Sequence, residues 1–133
     1  MLTIRAEQMA TFEKVMRQRF EDRMVAHIAK DFPEQYREMR HAKGSDAPVR
    51  QFVWDGVKRA EGYGITSESN VELFLDLLLD LGTDFDTRAD TDWTREVLDA
   101  PDLPEDEKMD TIYGELDRRG YGEDGAAAWG YRR

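Results

Sequence analysis

Four aspartates spaced two and four apart, Asp84, Asp86, Asp90 and Asp92, are the residues whose type and spacing come nearest to chemistry. Alternating aspartates can wrap a calcium ion. A calcium loop of the helix-loop-helix kind needs oxygen ligands at its first, third and fifth positions, glycine at the sixth and a bidentate glutamate at the twelfth. Counted from Asp84, those last three places hold Arg88, Ala89 and Arg95, so the pattern fails where it is most specific. Short acids of this kind otherwise make turns and cap helices by accepting from nearby amides.

Glu72, Asp76 and Asp80, each four apart, are half of what a carboxylate metal site in a helix bundle would use. Such sites also want Glu-x-x-His pairs from facing helices. Only Glu38 with His41 has that spacing, and His27 lies at the edge of an apolar stripe. The chain has no cysteine, which removes a thiolate zinc site, a cysteine nucleophile and any disulfide framework. No phosphate-binding glycine loop, nucleophile elbow or His-Glu-x-x-His is present. The expectation is a non-enzymatic chain with no catalytic residue, no metal and no cofactor.

The element that must position everything else runs from Ser67 to Leu81. Its apolar residues, Val71, Leu73, Phe74, Leu75, Leu77, Leu78, Leu79 and Leu81, leave only one narrow stripe of acids. A helix this apolar needs other helices around it. It is too short and carries too many acids to cross a bilayer. Ser67 stands at the N-cap, able to accept from the amide of Ser69 or Asn70, and Gly82 supplies a left-handed residue that lets Phe85 fold back.

Before it, residues 3–32 read as one long amphipathic helix with Thr3 as cap. Met9, Phe12, Met16, Phe20, Met24 and Ile28, widened by Val25 and Phe32, form its inward stripe. Its methionines suit either ordinary core or an adaptable partner groove. Pro33 stops or kinks this helix, a short turn follows over 34–39, and a second clear helix spans 47–63 with Val49, Phe52, Val53, Val57 and Ala60 on one face.

After Asp86, Thr91 or Asp92 can cap a short helix over 93–99. The last helix, 105–119, turns Met109, Ile112, Tyr113 and Leu116 inward, with acids in its first turn and arginines in its last, as the helix dipole favours. The fold expected is all-α, a compact bundle of about five helices over residues 1–119. Residues 120–133 read as a flexible Gly/Ala tail whose aromatics Tyr121, Trp129 and Tyr131 either stay free or anchor a contact.

The 133 residues carry 19 Lys and Arg against 29 Asp and Glu, a net charge of −10. The division is uneven, +2 over residues 1–63 and −12 over residues 64–133. So acidic a field repels phosphate backbones and anionic lipid, which argues against nucleic acid and membrane surfaces and allows a basic protein partner. Solubility alone is the other use of that acidity. Asp84, Asp86, Asp90 and Asp92, with Tyr121, Trp129 and Tyr131, are the candidate partner-binding residues. The N-terminus becomes charged at once and lacks a signal-peptide core, so the chain is expected in the cytoplasm.

The segments Thr3 to Met9, Phe20 to His27, Gly56 to Ser67, Leu81 to Asp86, Trp93 with Glu96 to Leu98, and Lys108 to Tyr113 resemble a family of small uncharacterised all-helical bacterial proteins. The resemblance covers roughly residues 2–117. Members are often encoded beside type VI secretion spike, spike-tip and effector genes. It implies an accessory role, as adaptor, chaperone or neutralising partner, with a secretion spike or effector protein as the partner, and carries no catalytic residues. The alternative expectation is a self-assembling structural component of a larger particle.

Overall fold

The structure, a computed structural model, describes residues 6–41 and 44–121, with side chains described from Lys14 onward apart from His41. It is all-α, as expected, with six helices among the described residues and no strand. They are α1 (Ala6–Asp31), α2 (Pro33–His41), α3 (Ala47–Gly62), α4 (Glu68–Leu81), α5 (Trp93–Leu98) and α6 (Glu105–Arg118). The chain divides into two compact units, Met1–Val53 and Trp54–Arg133.

In the first unit the C-terminal half of α1 buries Met24, Val25 and Ile28, and Phe32 is buried at the junction with α2. Phe32 keeps the hydrogen-bond ladder running: its amide donates to Ile28 and its carbonyl accepts from Tyr36, both at 2.9 Å. Pro33 therefore opens α2 at the one position where a missing N–H costs nothing, and the expected short turn is a nine-residue helix. Val49 and Val53, from the first turns of α3, are fully buried, and Arg50 donates to Glu21 at 3.1 Å and Asp22 at 2.6 Å.

The expected inward stripe of α1 fails in part. Residues 14–19 are exposed on every side of the helix, with Val15 at 45% and Met16 at 39% of their full accessibility, and Phe20 is only half-buried. Apolar spacing showed that a face exists and could not show that this chain supplies its cover. Met9 and Phe12 lie outside the described side chains, and Thr3 outside the described residues.

The second unit is built on α4, where Val71, Phe74, Leu75, Leu77 and Leu78 are buried. No residue from Asn70 to Gly82 is exposed, so the acidic stripe is not a solvent face, and Asp76 is itself buried. Helix α6 packs on α4 and on α5. Met109, Ile112, Tyr113 and Leu116 point inward as their spacing requires, and the Tyr113 hydroxyl donates to the Leu73 carbonyl at 2.7 Å. Gly56 of α3 meets α4 so closely that a Cβ there would overlap Leu75 Cδ2 and lie 3.2 Å from Leu78 Cδ1.

Ser67 caps α4 by accepting from the Asn70 amide, one of the two partners expected for it. The larger device comes from α6. The Glu105 carboxylate accepts from the amides of Thr66 at 3.1 Å and Ser67 at 3.0 Å and from Asn70 Nδ2 at 3.1 Å, capping α4 from a distant helix. These donors, the Ser67 amide first, hold its pKa down at about 2 against the opposing effect of desolvation.

Candidate functional site

Gly82 begins the segment that carries the four aspartates. Its φ of 109° and ψ of 153° are open to glycine but are not the left-handed helical values expected. Arg88 folds back over this position, where its guanidinium would stand 2.8 Å from a Cβ. Arg88 then takes Asp84 at 2.9 Å and Asp90 at 2.7 Å, and its hydrogen bond keeps the Asp90 carboxyl below the ordinary range. Phe85 turns inward, fully buried, its ring edge-on to Phe74 with centroids 5.7 Å apart.

Asp86 does something different from its neighbours. It is buried, accepts from the Tyr63 hydroxyl at 2.5 Å and pairs with Arg59 at 3.0 Å. Burial pushes its carboxyl up, but Tyr63 and Arg59 outweigh that and hold it below the usual value. The Tyr63 phenol moves the other way, to about 12, because burial and the adjacent carboxylate both disfavour its ionised form. Arg59 also donates to the Thr83 carbonyl at 2.6 Å, so one guanidinium pins both ends of this turn.

Threonines finish the segment. The buried Thr91 hydroxyl donates to the Phe85 carbonyl at 2.6 Å, and that of Thr94 to the Thr91 carbonyl at 2.7 Å. Neither cap proposed for α5 forms: Asp92 occupies the N-cap with helical backbone angles and no side-chain cap bond, and Thr91 is spent on Phe85. Lys108 of α6 is buried and ties the far ends, its ammonium donating to the carbonyls of Tyr63 at 2.7 Å and Leu98 at 2.6 Å. It thereby closes the orphan carbonyl ends of α3 and α5 together.

The four aspartates thus do not converge. Asp84 and Asp90 share Arg88, Asp86 faces inward, and Asp92 projects into an open groove of about 650 Å³. That groove is lined by Asp86, Asp92, Arg95, Glu96, Asp99 and the apolar Ala100 and Pro101, among others. Arg95 leans to Asp99 at 3.3 Å. Asp92 and Glu96, four residues apart on one face of α5, are exposed and make no side-chain hydrogen bond or ion pair among the described residues.

Among the described residues no three His, Asp or Glu side chains are grouped to hold a metal ion, and no helix is long and apolar enough to cross a membrane. Tyr121 is the last described residue and is half-buried, while Trp129 and Tyr131 lie outside the described residues. Glu96 was not singled out from the sequence, although its spacing from Asp92 is the signal that would have found it. Glu105 and Lys108 left no local signal, since Glu105 acts on residues 35 to 39 positions away and Lys108 bridges one carbonyl 10 positions away and another 45 away. No protein-family description, curated protein or solved structure matches the chain at a significant level.

Proposed function

We propose that this chain is a non-enzymatic protein-binding accessory factor that engages a basic partner protein through the acidic face of α5. One observation carries the reading. Asp92 and Glu96 both line an open groove and have no side-chain hydrogen-bond or ion-pair partner among the described residues, whereas Asp84, Asp86, Asp90 and Asp99 around them are each matched to an arginine. Two acids beside the apolar Ala100 and Pro101 suit an arginine or lysine carried on an apolar segment, whose stem packs while its head pairs. The surrounding unit carries −12, which steers such a partner in and repels nucleic acid.

The resemblance of residues 2–117 to small proteins encoded beside type VI secretion genes supports the accompanying biology. The chain acts in the bacterial cytoplasm as adaptor, chaperone or neutralising partner, and its partner is a secretion spike or effector protein.

The experiment is affinity capture of the tagged chain from its own cells, beside the Asp92→Asn/Glu96→Gln variant, with mass spectrometry of what is retained. A basic protein held by the wild type and lost by an equally helical variant is the expected result. Equal recovery by both would remove the groove as the binding surface.

A further inference from the structure

Residues 14–19 of α1 pose a different question, because two turns of helix stand exposed all round while displaying Val15 and Met16. Large apolar side chains left in water on a helix that also displays unpaired charge are what a docking partner covers. Arg19 lies four residues from Val15 and three from Met16, on the same face, and neither it nor Lys14 has a side-chain partner among the described residues.

Two such faces do not suit each other. Residues 14–19 hold Lys14, Arg17 and Arg19 and no acid, so α1 against α1 sets like charges together. The chain does carry a complement: Asp92, Glu96, Ala100 and Pro101 all line the α5 groove, its lining arginine, Arg95, is paired with Asp99, and residues 1–63 and 64–133 bear +2 and −12.

We propose that the Val15, Met16 and Arg19 face of α1 docks in the α5 groove of a second copy of this chain, Arg19 meeting Asp92 and Glu96. The contact is head-to-tail, and because each copy keeps one free face and one free groove it propagates rather than closing as a symmetric dimer. It rests on the reading of that groove as a docking site for basic chemistry. Two turns of helix bury little area, so the contact is weak, with a Kd of about 10–100 μM.

The test is sedimentation of the full chain from about 5 to about 500 μM, a range set around that Kd, at low and high salt. Average mass should rise with concentration at low salt and fall back at high salt. Arg19→Glu and Glu96→Arg, both exposed substitutions, should each weaken association by about tenfold or more. Mixing the two variants should restore association, because the intact α1 face of the Glu96→Arg chain fits the intact groove of the Arg19→Glu chain and the two reversed charges oppose each other favourably at the second contact. Wild type that stays monomeric throughout overturns the proposal. So does association that persists in both variants or a mixture that stays monomeric. Partner capture that still depends on Asp92 and Glu96 while the wild type is monomeric would sink this contact and leave the reading of the groove standing.

Discussion

Replacing Glu105 with Gln tests whether one carboxylate on α6 caps α4 across the second unit. One acceptor oxygen remains, the other becomes an amide nitrogen, and the charge goes. Glu105 is held at about 2 against an ordinary 4.5. At 1.36 kcal/mol per unit the full shift would correspond to about 3 kcal/mol, and because the side chain is only half-buried, solvent screening reduces the expected effect to about 1–2 kcal/mol. The folded value lies below the unfolded one, so this stabilisation is complete above about pH 5 and is lost as the pH falls toward 2. Urea unfolding followed by helix content, from neutral pH down to pH about 2, should show the variant weaker by about 1–2 kcal/mol at neutral pH and the two curves converging in acid. A gap that is absent at neutral pH, or that stays constant into acid, would refute the charged cap.

Two further outcomes follow from the packing of the same unit. Gly56→Ala gains about 1 kcal/mol of helix propensity but thrusts a methyl into Leu75, which is fully buried and has no room to withdraw; overpacking costs about 1–3 kcal/mol, so a lower denaturation midpoint is expected and a raised one contradicts the close approach of α3 and α4. Tyr63→Phe removes the donor to Asp86 and should cost about 1 kcal/mol at neutral pH. In the wild type the Tyr63 contribution is present below about pH 10 and fades as the pH rises to about 12, so tyrosinate absorbance should show one late-titrating phenol that the variant lacks.

Much of the architecture was legible because it is written locally. The eight apolar residues of α4, the 109, 112, 113 and 116 set of α6 and the glycines near helix ends each act within a few turns, and the helices stand where those patterns put them. The site was legible only in outline. The aspartate-rich segment was visible, but the roles of its members depend on Arg59, Tyr63 and Arg88, and the first two come from another helix end. Asp86 illustrates the reason: its sequence neighbourhood marks it as a surface acid, while Phe85 beside it enters the core and carries it to a buried pair. The reverse happened in α1, where apolar spacing continues past the last residue that the unit covers, leaving Val15 and Met16 in water. Periodicity reports that a face exists, and only the packing partner decides whether it is interior.

The central claim is that unmatched charge on α5 holds a basic partner. The most direct measurement is the affinity of the captured partner for the wild type and for Asp92→Asn/Glu96→Gln across a range of salt, with unfolding midpoints taken alongside. Wild-type affinity should fall steeply with salt, and the variant should bind at least about tenfold more weakly with a flatter salt dependence and a nearly unchanged midpoint, since neither side chain makes a hydrogen bond or ion pair among the described residues. Equal affinity and equal salt dependence in the two proteins would contradict the account.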